Sequence, residues 1–168
     1  INALAGVDTV DASGLGADSI QLEIDGGADV DVLTGGAGDD LIDGGQANDT
    51  AFLGAGDDTF RWDPGDGSDV VEGRDGEDLM TFNGAGGAEI FAATPNGGRV
   101  AFTRNLGNIL MDTDDVERID LNTLGGAKRT TINDKSATDL VEVNINQAGT
   151  IGGTAGDVVS GNDGNDLV

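Results

Sequence analysis

Apolar residues recur along this chain at two periods. The shorter is a strict alternation over Ser19-Ile20-Gln21-Leu22-Glu23-Ile24 and again over Val116-Glu117-Arg118-Ile119-Asp120-Leu121, which predicts strands with one buried face. The longer period is nine, and it dominates the first half. Blocks of nine run Gly26 to Thr34, Gly35 to Asp43, Gly44 to Phe52 and Leu53 to Arg61; after two extra residues, Trp62 and Asp63, they resume as Pro64 to Glu72 and Gly73 to Thr81. In every block the eighth residue is apolar (Leu33, Ile42, Ala51, Phe60, Val71, Met80) and the sixth is an aspartate (Asp31, Asp40, Asp49, Asp58, Asp69, Asp78). The element this predicts is a glycine-rich turn of about six residues followed by a strand of about three, with position eight pointing inward. One such unit cannot bury its own apolar face, so the units must stack, and the period predicts a solenoid.

The unbroken stretch from Gly35 to Arg61 reads GGAGDDLID, GGQANDTAF, LGAGDDTFR. It resembles the glycine-rich nonapeptide G-G-x-G-x-D-x-U-x, with U apolar, of the RTX (hemolysin-type) family, the calcium-binding parallel β-rolls of secreted bacterial proteins. The resemblance implies an all-β fold, a parallel β-roll or β-helix solenoid in which two nonapeptides make one coil and turns alternate between two edges. In the family each ion lies between turns n and n+2. That implies one column of Asp31, Asp49 and Asp69 and another of Asp40, Asp58 and Asp78, with about four calcium ions between them. The metal-site residues carried over are these aspartates, the turn glycines Gly35, Gly36, Gly38, Gly44, Gly45, Gly54 and Gly56, and Asp157 and Asp166 near the end of the chain. Gly35 to Asp43 is the one perfect block. Asp29 and Ala47 replace the position-four glycine, Leu53 a first glycine, and Pro64 and Arg74 stand at turn positions one and two. The sites using Asp40 and Asp58 therefore rank highest on sequence.

Composition strengthens this picture. The 168 residues include 30 glycines but only 2 prolines, and aromatics make up 4%. Without a G-X-Y triplet the glycines serve turns, and the scarcity of large side chains suits a narrow aliphatic interior. Asp and Glu number 32 against 8 Lys and Arg, a formal charge of −24. Such self-repulsion opposes compaction unless cations are bound, and it argues against nucleic acid or an anionic membrane surface as partner. A hard dication takes six to eight oxygens, many of them backbone carbonyls, so a turn that combines glycines with one carboxylate is suited to calcium. Folding and metal binding are then one event. An ion at about tenfold above its dissociation constant stabilises by about 1.4 kcal/mol, and several together match the net stability of a domain.

Four segments follow from the spacing: residues 1–25, a degenerate first rung or cap in which Asp8 and Val10 echo positions six and eight; 26–82, the calcium-binding roll; 83–124, an inserted antiparallel hairpin region around the turns Pro95-Asn96-Gly97-Gly98 and Asn105-Leu106-Gly107-Asn108; and 125–168, degenerate rungs that continue beyond the segment. In the last segment the frame can be laid from Gly125 to Asn133 and onward, with Ile132 and Val141 at position eight. The resemblance further implies type I secretion, an extracellular bacterial location, and attachment to further domains of a parent chain. Cysteine and histidine are both absent. No thiol–imidazole or Ser–His pair can be drawn and each prominent acid already has a calcium role, so no enzyme activity is expected. The rival expectation is a carbohydrate- or surface-binding adhesin module that meets a glycan or cell-surface partner through the insert, Arg61 and Trp62. Against it, Phe60 and Trp62 alternate along one strand and so share its core-facing side.

Overall fold

The computed structural model describes residues 1–18, 20–147 and 158–161. Its strands, in chain order, are β1 (Thr9–Asp11), β2 (Glu23–Asp25), β3 (Val32–Thr34), β4 (Leu41–Asp43), β5 (Thr50–Ala55), β6 (Thr59–Trp62), β7 (Val70–Asp75), β8 (Leu79–Asn83), β9 (Glu89–Asn96), β10 (Arg99–Arg104), β11 (Ile109–Asp114), β12 (Arg118–Thr123), β13 (Lys128–Ile132), β14 (Glu142–Gln147) and β15 (Val158–Gly161). Successive strands alternate between two sheets, except that β9, β10 and β11 all lie in the same one. One has nine strands in the order β1-β3-β5-β7-β11-β10-β9-β13-β15, and the other six in the order β14-β12-β8-β6-β4-β2. Every pairing is parallel except β9 with β10 and β10 with β11. This is a parallel β-roll.

The nine-residue frame sets the register. Leu33 pairs with Ala51 and Ala51 with Val71 in one sheet, while Ile42 pairs with Phe60 and Phe60 with Met80 in the other. All six position-eight residues are fully buried between the sheets. The two-residue spacer after Arg61 extends the interior. Trp62 is fully buried and stacks on Phe82 at 4.0 Å, and Phe82 in turn contacts Phe102 at 5.0 Å. Phe82 and Asn83 are themselves a second two-residue spacer. They occupy the same register as Trp62 and Asp63, and Asn83 donates to Asp63 Oδ1 at 2.7 Å.

Several expectations need correction. The frame does not stop at Asn83: Gly84 to Ala92 is a further block, with Glu89 at position six and Phe91 at position eight, both buried. The antiparallel part is confined to β9, β10 and β11; β12 lies parallel to both β8 and β14, so Arg118–Thr123 is a rung of the roll. Because β10 and β11 fill the space between β7 and β9, the hairpin is spliced into a sheet and does not project from a face. Beyond it the frame shifts. Thr130 pairs with Phe91, which places Lys128 opposite Glu89, and Val141 is 73% exposed where an inward residue was expected. The early echo is real: Asp8 precedes β1, and Val10 pairs with Leu33 and packs on the core.

Candidate metal centre

Each turn delivers its sixth residue to the start of a strand, and the parallel register then stacks these residues in files. Asp49 Oδ1 accepts the Asp31 N–H at 2.8 Å, and Asp69 Oδ1 accepts that of Asp49 at 2.9 Å; Asp31 Oδ1 accepts the Asp8 N–H at 2.7 Å. On the opposite edge Asp58 Oδ1 accepts the Asp40 N–H at 2.6 Å, and Asp78 Oδ1 accepts that of Asp58 at 2.9 Å. Asp40 Oδ1 accepts the Leu22 N–H at 2.9 Å. Glu117 closes this second file, its Oε2 accepting the Asp78 N–H at 2.7 Å. The echo of position six at Asp8 thus joins the first file, whereas sequence spacing did not single out Glu117 as a cap.

Oδ1 of each of the six repeat aspartates is thus engaged, and Oδ2 tests the fit of a metal. The Oδ2 atoms of Asp8, Asp31, Asp49, Asp58, Asp69 and Asp78 are buried and have no hydrogen-bond partner. A buried charge left in this condition is strongly disfavoured. The space beside these oxygens is kept open by glycine. A Cβ on Gly26 would lie 2.8 Å from Asp31 Oδ2 and 2.6 Å from the Gly44 carbonyl oxygen; one on Gly73 would lie 2.5 Å from Asp78 Oδ2 and 1.6 Å from the Asp115 carbonyl oxygen. Open carboxylate oxygens and the carbonyls of the next turn in the file therefore border the same gaps. That donor set, hard oxygen from two turns, fits calcium.

Electrostatics agree with the geometry. Burial, reinforced by the like charge of neighbouring carboxylates, raises Asp49 and Asp58 to about 6 and Asp69 and Asp78 to about 7, although each also accepts a backbone N–H that acts the other way. Asp66 is raised to about 6, again chiefly by burial. Removing charge from water disfavours the ionised form, and stacking like charges adds to the effect.

The sequence-derived residues separate into distinct roles. Gly36 N–H donates to Asp40 Oδ2 at 2.7 Å, so the perfect block closes its own turn on its carboxylate, while Asp58 in the same file keeps an open Oδ2. Gly38 has only ordinary neighbours for a Cβ, and Gly44 sits against Asp49 Oδ2. Gly45, Gly54 and Gly56 lie in close backbone contact with the preceding turn of their file; Gly54, at φ 124°, would bring a Cβ to 2.1 Å from the Gly36 carbonyl oxygen. Asp29, Ala47 and Arg74, which replace glycine, hold φ of 76°, 85° and 79°, so the turns keep left-handed backbone despite the substitutions. Asp157 and Asp166 lie outside the described residues.

Acids beside the files have other partners. Asp57 N–H donates to Asp39 Oδ1 and Glu77 N–H to Asp57 Oδ1, a solvent-side ladder. Asp43 receives Arg61 Nε and Nη2 at 2.9 and 2.8 Å. Asp114, Asp115 and Asp139 place carboxylate oxygens within 4.8 Å of one another at the partly exposed surface beside the Glu117 turn. The Trp62 ring, proposed as a glycan platform, is unavailable for stacking. It is 0% exposed, its Nε1 donates to the Gly67 carbonyl at 2.8 Å, and the Arg104 guanidinium lies 5.3 Å from its ring centre. Phe52 is covered by Arg74, whose guanidinium lies 4.7 Å from its ring centre.

A parallel roll whose two turn edges carry files of buried, half-satisfied aspartates belongs to the class of calcium-binding repeat modules. The particular family follows from comparison: the model of the RTX calcium-binding nonapeptide repeat matches in four copies, over residues 25–60, 65–88 and 151–168, and over these stretches the chain is similar to that family's repeat. No curated protein and no solved structure matches the chain.

Proposed function

We propose that this module is a calcium-triggered folding unit of a secreted bacterial protein, largely unfolded at cytosolic calcium and folded outside the cell, with export by type I secretion. The observation that carries the reading is the set of buried Oδ2 atoms without partners on Asp31, Asp49, Asp58, Asp69 and Asp78. At neutral pH these carboxylates repel one another, and a divalent ion in each gap converts the repulsion into cross-links between turns. Asp31, Asp49 and Asp69 on one edge, and Asp40, Asp58 and Asp78 on the other, would supply side-chain oxygens, with turn carbonyls completing each shell. Calcium supplies the positive charge. The chain supplies a glycine-cleared gap and a register that repeats it. The module is read as a non-catalytic scaffold joined to other domains that carry the parent protein's activity.

Calcium titration followed by far-ultraviolet circular dichroism and thermal melting tests the reading. The expected outcome is a steep gain of β-structure at millimolar calcium, reversed by chelator. A β-signal and melting temperature indifferent to chelator would overturn it.

A further inference from the structure

One turn gap on the same edge as the Asp31 file is built differently. The turn at residues 84–88 joins β8 to β9, the turn at 124–127 joins β12 to β13, and they stack, with the Glu89 N–H donating to the Ala127 carbonyl at 3.0 Å. A Cβ on Gly126, at φ 101°, would lie 2.6 Å from the Gly87 carbonyl oxygen, so this gap too is cleared by glycine. Glu89 holds position six, and both of its oxygens accept the Ala85 N–H, at 3.1 and 3.0 Å. The residue in register across the gap is Lys128.

The Lys128 side chain is 1% exposed. Its Nζ donates to the carbonyls of Ala85 at 2.8 Å, Gly87, and Gly125 at 3.1 Å, and pairs with Glu89 Oε2 at 2.8 Å. These are carbonyls of two stacked turns plus one position-six carboxylate, the same kinds of oxygen, in the same kind of place, that border the aspartate gaps. Glu89 Oε1 is also held by the buried Arg104 at 2.6 Å. Burial alone would raise the Glu89 pKa, but Lys128, the Ala85 N–H and Arg104 together hold it below its ordinary value. No position-six carboxylate oxygen is orphaned here, unlike in the aspartate files.

We propose that the Lys128 ammonium is a tethered substitute for a calcium ion between the turns at 84–88 and 124–127, so that this end of the roll holds its fold without metal. Removing the ammonium would open a cation site lined by the Ala85, Gly87 and Gly125 carbonyls and Glu89. The contrast with the aspartate files rests on the calcium reading above. The occupancy of this gap by Lys128 does not.

Amide hydrogen exchange on the full 168-residue chain, with and without chelator, tests the proposal. In chelator, β9 and β13 should keep protection on the order of a hundredfold above that of β4 and β6. Lys128→Met, which keeps the length and loses the charge, should bring β9 and β13 down to the level of β4 and β6 in chelator. Lys128→Ala should lose the same protection and regain it on adding millimolar calcium or n-propylammonium, a recovery that a merely packing role would not give. The proposal is overturned if wild-type β9 and β13 lose protection in chelator along with β4 and β6, if Lys128→Met retains wild-type protection, or if neither cation restores Lys128→Ala. Should β4 and β6 stay protected in chelator, the calcium reading fails, and Lys128→Met still decides the role of Lys128.

Discussion

The gap between the turns ending at Asp49 and Asp69 and the gap between Glu89 and Lys128 lie on the same edge of the roll, and each has to neutralise carboxylate buried between stacked turns. In the first, Oδ2 of each aspartate is buried without a partner. In the second, an ammonium on the next strand meets the carboxylate and three carbonyls. The difference lies in where the cation comes from. A soluble ion makes stability a function of its concentration, whereas a tethered one contributes at any calcium level, at the expense of ordering a long side chain. One architecture can therefore hold a responsive half and a constitutive half side by side.

The largest effect that would sharpen this contrast is calcium withdrawal. Chelator should unfold the coils over residues 26–82, seen as loss of part of the β-signal, while exchange-protected amides persist in β9 and β13. Almost as large, Glu89→Gln should destabilise the chain by about 3–5 kcal/mol in denaturant melts, with or without calcium, because it leaves two buried cations, Lys128 and Arg104, without their counter-ion. Equal losses in both conditions would place Glu89 in the constitutive half; a loss confined to calcium-loaded protein would break the comparison.

A change of sign is expected at Asp69. With its carboxyl raised to about 7, Asp69→Asn should stabilise the calcium-free chain by roughly 1–3 kcal/mol, because it removes a buried charge, and should shift the calcium midpoint upward, because it removes a ligand charge. Thermal melts in chelator and a calcium titration on the same variant read the two effects separately.

The pH dependence follows from the same groups. Asp49, Asp58, Asp69 and Asp78 have folded values of about 6 to 7 against an ordinary 3.8. Between these limits the folded chain binds more protons than the unfolded one, so the stability they lend the calcium-free fold is full below pH 3.8 and is lost as pH rises through 6 to 7. Protons compete with calcium for the same oxygens, so the calcium midpoint should move to higher concentration as pH falls from 7 to 5. A midpoint independent of pH would separate the carboxylates from the ion. The smallest expected effect is at Arg61, whose half-exposed pair with Asp43 should contribute no more than about 1 kcal/mol, so that Arg61→Ala melts close to wild type.

Much of the coil was legible because its signal is local and repeated. Six aspartates and six apolar residues at fixed offsets predicted which side chains face the interior and which line the turns, and the two-residue spacer after Arg61 hinted at the wider rung that Trp62 fills. The same spacer at Phe82-Asn83, followed by the glycine-rich turn ending in Glu89, could have extended the frame by one block. It was obscured by a glutamate where aspartate was sought. Where repeats decay, spacing misleads. Laying nines from Gly125 put Val141 inside, whereas the pairing of β14 with β12 sets Val143 opposite the buried Ile119 and leaves Val141 exposed.

By itself the sequence determined the solenoid, its two-edged aspartate files and its demand for cations, because turn chemistry, alternation and net charge are properties of short segments and of sums. Tertiary structure alone decided which carboxylate oxygens stay unpartnered, that Glu117 and not an aspartate ends one file, and that Lys128 fills a gap where a metal would otherwise be needed. These depend on which strands become neighbours after a hairpin has been spliced into the sheet. A period of nine cannot encode that adjacency, since β9 meets β13 only through the residues that lie between them in the chain and leave the repeat.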